Sequence, residues 1–539
     1  MILFRLALRS HRTGLIATAA MGAVAGLLNS LGYLQVAGTT HAERVAFAAQ
    51  MSVLGQQLSY LLPRPVQLDT VAGYLTWRDL SSVGLIYAIW AMLAATGAGR
   101  GDEERGLVEQ WLSTGVSRVR WLLTRCTGFA VAATLSLTVT LALTAVGAAL
   151  AQEPLPFGPL VLEAVALLAL TLTGFGLGIA IAQLAITRRA ASITAGMLLV
   201  ATFVVNSADR SGIDVGWFKN FSPFYAFERS APLLEGRGLD LPATAALFLT
   251  TLLLMVFAAI AFGRRDLGGP LIRVRAGRGR PTACPSSDPF LRLPVLAAVD
   301  QQRFWIAGWA LGLAVLGYFL TSIARTLVDS LRDVPGMRAY FEQNNIAAYS
   351  DVVGVVWFGT ALLLLSVFVI AQVNAWASED ADGRLETALA ATASRSRIVL
   401  ERIAALLVAI AILGALSTLA VYGAARIYDI TVPLERMLLA TALTLPVAFA
   451  LGAVGHALVG WRPRVAVALL GAVSAVSYFD LEFASIFNWP DWVRKTSIYT
   501  LYGMPLSKDD PGGIAILVAI GLVGTAVALV VMRRRDVGV

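Results

Sequence analysis

Two stretches of this chain combine acids and arginines in an order suited to holding another protein. One carboxylate also sits where a carboxylate is costly. The first stretch, residues 102–125, reads DEERGLVEQWLSTGVSRVRWLLTR, and the second, residues 379–402, reads EDADGRLETALAATASRSRIVLER. They align without a gap. Gly106, Glu109, Leu112, Ser117, Arg118, Arg120 and Arg125 recur as Gly383, Glu386, Leu389, Ser394, Arg395, Arg397 and Arg402. Acids open each copy, Asp102, Glu103 and Glu104 in one and Glu379, Asp380 and Asp382 in the other, and arginines close it. That order complements a helix macrodipole. Val108, Trp111 and Leu112 make an apolar edge on the first copy, and Leu385, Ala388 and Leu389 on the second. A single copy reads as an ordinary juxtamembrane turn, acidic at its start by capping preference and basic at its end by the positive-inside rule. Neither cause requires Gly, Glu, Leu and Ser-Arg-x-Arg at identical offsets. A symmetric partner receiving both helices in equivalent clefts would require them.

Enzyme chemistry is not legible. The dipeptide Gly-Lys never occurs, so no P-loop lysine reaches a nucleotide phosphate. There is no HExxH, and His11, His41 and His456 do not cluster; His456, near the inner end of a span, reads as a packed or water-facing residue. Cys126 falls in a span and Cys284 in a linker, with no CxxC or metal spacing. Glu163 is different. It lies several residues inside the apolar run PLVLEAVALLAL, where an ionisable group is expensive and functional by default. It is also near the outer end of that run, so snorkelling to water competes with a place on a transport path.

The elements that carry these residues are membrane helices. Apolar residues make up 57% of the 539 and charged residues 14%, and mean hydropathy is +0.72; a soluble domain carries about a quarter charged residues. Runs of membrane-spanning length lie near 13–36, 80–98, 121–150, 158–186, 190–206 and 241–262, then near 304–325, 352–376, 399–425, 437–460, 465–480 and 512–532. The runs at 190–206 and 465–480 are the shortest. With the N-terminus inside, the inner segments hold most of the 42 Lys+Arg and the outer ones an acidic excess, as the positive-inside rule asks. The pI near 9.7 is therefore a topology signal, and no nucleic-acid partner is implied. The basic start MILFRLALRSHR reads as an interfacial helix before the first span, the apolar run being too long for a signal peptide.

Correspondence between the halves goes further. FGRRDLG closes the first and MRRRDVG the second, so that Arg264, Arg265, Asp266 and Gly268 match Arg534, Arg535, Asp536 and Gly538. SPFYAFERSAPL (222–233) resembles TSIYTLYGMPL (496–506), and Arg188-Arg189 corresponds to Arg462 and Arg464. A long-period repeat sets the architecture. The expected fold is an all-α integral membrane protein of about twelve transmembrane helices, arranged as two parallel six-helix repeats about a pseudo-two-fold axis along the membrane normal. Residues 1–267 form one half, 268–289 a Gly-, Pro- and Arg-rich cytoplasmic linker, and 290–539 the other half. Two outer stretches are too polar to span. Residues 41–62 place Val45, Ala48, Met51, Leu54, Leu58 and Leu61 at helical spacing, and 326–345 are similar. The segments 207–240 and 481–511 are aromatic-rich and read as an interfacial belt or an outer lid.

Six spans per half, an acidic-Gly-x-x-Glu-x-x-Leu helix after the second span, an external segment before the sixth and a terminal Arg-Arg-Asp together resemble the membrane subunit of ABC exporters with the type V, G-subfamily-like fold. The fused double-length form, rich in Arg and Ala, resembles the actinobacterial tetronasin or polyketide-antibiotic exporter permeases, the mycobacterial multidrug efflux permeases among them. The resemblance covers essentially the whole chain. It implies that Glu103, Glu104, Gly106, Glu109, Leu112, Ser117, Arg118 and Arg120, and likewise Asp380, Gly383, Glu386, Leu389, Ser394, Arg395 and Arg397, belong to two coupling helices. A separate ATPase, a homodimer carrying the ATP and Mg, would dock beneath them; this chain needs no cofactor or metal of its own. The resemblance further implies efflux across the cell membrane with both termini cytoplasmic. It also implies a substrate path for an amphipathic or apolar compound, with Tyr87, Trp90, Glu163, Phe203, Trp357, Phe358, Phe368 and Tyr478 as candidates. Two other readings are an ion-coupled drug carrier and a membrane scaffold that transports nothing.

Overall fold

The structure, a computed structural model, describes residues 2–271, 289–324, 329, 349–381, 383–390, 394–503 and 510–535. All regular structure among them is helical. Twelve helices there are long and apolar enough to cross a bilayer: Arg12–Ala37, Val71–Glu104, Arg118–Leu150, Phe157–Leu184, Arg188–Arg210 and Leu241–Arg264, then Arg303–Ser322, Val353–Glu379, Arg395–Ile427, Leu434–Trp461, Val465–Phe483 and Pro511–Arg534. We number these spans one to twelve. Each expected run is present, and most bounds move by only a few residues. Span two differs most, beginning at Val71 rather than near residue 80. Its added turns hold Arg78 and Asp79, which end the apolar run in the sequence. The fold embeds Asp79 by giving its Oδ1 a hydrogen bond from Asn29 Nδ2 at 3.1 Å, and winds Leu75–Leu80 as π-helix.

The chain divides into two compact units, Met1–Arg280 and Pro281–Val539. Within the first, span one packs on span three, two on four and four on six; within the second, seven packs on nine, eight on ten and ten on twelve. A short helix precedes the leading span of each, Ile2–Ser10 and Pro294–Gln301. Lipid is as apolar as leucine, so close approach and buried hydrogen bonds must hold such helices together. Gly22 and Gly26 lie against Thr140 and Thr144, where an added Cβ would clash. Thr18 Oγ1 and Ser136 Oγ are 2.9 Å apart. Tyr87 bridges Ser136 and Thr140 at 2.7 and 2.8 Å. The outward face of span six, with Leu249, Leu252, Leu253, Val256 and Ile260 exposed, is what a lipid solvent demands.

The outer stretch at 41–62 does form a helix, His41–Gln57, but its buried side differs from expectation. Met51 is buried as expected, but Val45 is exposed and Phe47, outside the expected face, is buried. Phe47 is drawn in by the rings of Tyr33 and Tyr74, each 6.3 Å away. The aromatic segments divide between belt and core. Trp217, Phe218 and Phe221 form an exposed stack, whereas Phe224, Tyr499 and Tyr502 are buried. Apart from residue 329, the expected helix at 326–345 lies outside the described residues, as do Cys284 and most of the linker.

Candidate functional site

The two repeated segments are built alike, and the construction explains most of their shared residues. Gly106 takes φ +68° and Gly383 +70°, the left-handed region that glycine enters without a Cβ penalty. Each turns the chain into a short helix, Leu107–Ser113 in one unit and Arg384–Ala390 in the other. Ser117 and Ser394 cap the span that follows, each Oγ accepting from the amide of Arg120 or Arg397 at 3.3 Å. This satisfies one orphan donor of the helix start.

Arg118 and Arg395 close the opposite kind of gap. Arg118 Nη1 donates to the carbonyls of Phe262 and Arg265 at 3.0 and 2.7 Å. Arg395 Nη1 donates to those of Met532, Arg533 and Arg535 at 3.3, 3.1 and 2.7 Å. These are the orphan carbonyls at the ends of spans six and twelve. The matching Arg-Arg-Asp endings thus belong to the same device as Ser-Arg, although Asp536 and Gly538 lie outside the described residues. Arg125 pairs with Asp102 at 2.5 Å and Arg402 with Glu379 at 2.6 Å. Val108 and Leu385 are buried beneath the two helices, with Leu112 and Leu389 half-buried against the same clusters. Ala388, expected on the apolar edge, is exposed, because its methyl adds little to what Leu385 and Leu389 already bury.

The first unit has a further knot. Glu103 is buried, paired with Arg100 Nη1 at 2.9 Å and Arg265 Nη2 at 2.5 Å, and accepts from the Gly268 amide at 2.5 Å. Arg265 Nε also donates to Gln183 Oε1 at 2.9 Å, so spans two, four and six meet at one carboxylate. Glu104 Oε1 accepts from the Arg188 amide at 2.7 Å. Burial, with Arg125 adding to it, lowers the imidazole of His11 to about 4. It therefore stays neutral beside Arg125, edge-on to Phe129 at 5.3 Å.

Several expected partner-facing residues are therefore turned into their own unit: Glu103, Arg118 and Arg395 by their bonds, Leu112 and Leu389 by packing. Asp380's side chain and Asp382 lie outside the described residues. Arg120 and Arg397 are exposed, and Arg397 pairs with Glu401 at 2.5 Å. Glu109 and Glu386 are exposed. Neither forms a hydrogen bond or ion pair among the described residues.

At the opposite end of span two, still within the first unit, lies a cavity of about 540 Å³. Residues 63–66, the start of span two, span four, the end of span five and residues 225–237 enclose it. Of the path candidates, Glu163 lines it, 2% exposed. The others are packing residues. Tyr87 is held by its hydroxyl bonds. Trp90 sits between Tyr87 and Phe129, and Phe203 lies edge-on to Phe224 at 5.3 Å. Trp357, Phe358 and Phe368 are buried in the second unit's core, with Tyr478 packed against it. Sequence reasoning missed Trp77, Asn206, Arg210 and Glu228 on the cavity wall. Glu228 accepts from Arg210 Nη1 at 2.9 Å and Asn206 Nδ2 at 2.8 Å. Burial raises its carboxyl above the usual range despite Arg210. The signal for the ion pair was Arg210 and Glu228, opposite charges within the aromatic-rich segment 207–240; Trp77 had none.

Twelve spans, two units with the same helix pairings and a capped juxtamembrane helix in each define an all-helical, multi-pass membrane protein. The chain belongs to the family of the multidrug efflux system permease Rv1217c, C-terminal domain, whose model matches residues 3–263 and 291–533. It is thus a drug-efflux permease by family, as the resemblance implied. A comparison with curated proteins finds no match.

Proposed function

We propose that this permease is the membrane subunit of an ATP-driven exporter, moving amphipathic or apolar compounds out of the cell. Family membership supports the efflux part. One observation carries the ATP-driven part. Contacts within each unit account for the shared Gly, Ser, Arg118 and Arg125 positions. Glu109 and Glu386 suit the first turn of their helices, but both are exposed and no contact in their own unit gives a reason for both to be glutamate. Two copies of one ATPase, docking on the two helices, would supply that reason. ATP and Mg then belong to the partner, and both termini lie on its side of the cell membrane. Spans three and nine, clamped to the ends of spans six and twelve by Arg118 and Arg395, pass a push on the short helices before them to those ends.

The purified chain is expected to neither bind nor hydrolyse ATP, and efflux from vesicles is expected only when a P-loop ATPase is reconstituted with it. Saturable ATP turnover by the chain alone, or efflux driven by an imposed proton gradient without an ATPase, would overturn this reading.

A further inference from the structure

Four residues that line the cavity of the first unit each carry a buried polar atom with no hydrogen-bond partner: Trp77 Nε1, Glu163 Oε2, Asn206 Oδ1 and Arg210 Nε. Trp77, Glu163 and Asn206 are 3%, 2% and 0% exposed. Folded proteins leave few such atoms, because each costs the desolvation of the group. Four on residues around one cavity, from spans two, four and five, single it out as a site. The volume, about 540 Å³, falls within the usual range for small-molecule sites, about 300–1,000 Å³.

The polar atoms also say what kind of molecule fits. Two are donors, Trp77 and Arg210, and two are acceptors, Glu163 and Asn206. Of the other charges lining the cavity, Arg210 pairs with Glu228 at 2.9 Å, Arg229 with Asp240 at 2.8 Å and Asp209 with Lys219 at 3.1 Å, while Arg64 donates to the carbonyl of Arg210 and, like Arg237, pairs with no carboxylate among the described residues. Glu163 has no such partner among the described residues. A cation reaching it would meet an attraction far stronger than in bulk water. Phe227 and Leu80, both buried, supply apolar wall. Aligned on the arginine turns after spans four and ten, Glu163 falls at Met437 in the second unit, which is apolar and fully buried. The second unit therefore has no carboxylate at the matching position.

We infer that this cavity binds an amine-bearing amphiphile, its ammonium on Glu163 and its oxygen acceptors on Trp77 and Arg210, and that such amines are a substrate class of the permease. The inference rests on the export reading for the word substrate, but not for binding. Binding is measured on the full-length chain alone, in lipid nanodiscs without ATPase. Failure of binding while ATP-dependent efflux persists removes this site only. Binding with no ATPase association removes the coupling only.

The probes are monodansylcadaverine, a sulfonamide with a primary amine, and its N-acetyl derivative, the same body without the charge. Wild type should bind the amine saturably, one per chain, with blue-shifted emission. Glu163→Gln should weaken the amine about tenfold or more and leave the acetylated probe unchanged, since the amide keeps the shape and loses the charge. Trp77→Phe should weaken both probes alike, through the lost donor. Equal amine affinity in wild type and Glu163→Gln would overturn the site. So would absence of saturable binding, the result if water is its only occupant. Should Glu163→Gln fail to fold, Trp77→Phe decides: unchanged affinity for both probes discards the proposal.

Discussion

Glutamine in place of Glu103 should destabilise the first unit by about 3–5 kcal/mol, the usual effect of removing one partner from a buried ion pair. Arg100 and Arg265 have side chains 1% and 0% exposed, so neither can turn to water when the carboxylate is gone. The amide preserves shape and can still accept from the Gly268 amide, but it balances neither charge. Unfolding in detergent, followed by thermal denaturation, should move to a markedly lower midpoint. Glu386→Gln, an exposed site in the other unit, should leave the midpoint where it was. The contrast matters because both are acids of the repeated segments, Glu103 in the acidic opening of the first and Glu386 on the short helix of the second. Packing makes one an internal tie and leaves the other free.

Reversing charge at both Glu109 and Glu386 should nearly abolish association with the ATPase. Either reversal alone should weaken it by about tenfold, roughly 1.4 kcal/mol, because the second helix still docks and keeps the partner at high effective concentration. The expected readout is ATPase retained on the immobilised permease, with expression and unfolding midpoint unchanged in all three variants. Loss of docking from one reversal and none from the other would break the equivalence of the two helices.

The spans were legible because lipid imposes one demand, a run of about 20 apolar residues, and the chain meets it twelve times. The exception is instructive. The start of span two hides behind Arg78 and Asp79, and only the contact with Asn29 shows that a charged pair can lie within that helix. The repeat was legible as sequence, but its cause was not. Gly106, Ser117, Arg118 and Arg125 looked like a partner's footprint. Their identities come from a left-handed turn, a cap, a clamp on the carbonyls of span six and a pair with Asp102, of which only the turn and the cap are local in sequence. That clamp spans Arg118 and Arg265, and the cavity joins Trp77, Glu163, Asn206 and Glu228. Such contacts arise from helix packing, which hydropathy does not encode. Aromatic residues such as Trp357 and Phe368, both buried in the second unit's core, show the same limit. Composition cannot tell a ring that lines a path from one that fills a core.

The most direct test of the account places a photo-crosslinking residue at position 109, and separately at 386, in membranes containing the permease and its ATPase. The account predicts that both positions capture the same ATPase polypeptide, with comparable yield, on equivalent surfaces of its two copies. Capture from one position only, or from neither while efflux proceeds, would contradict it.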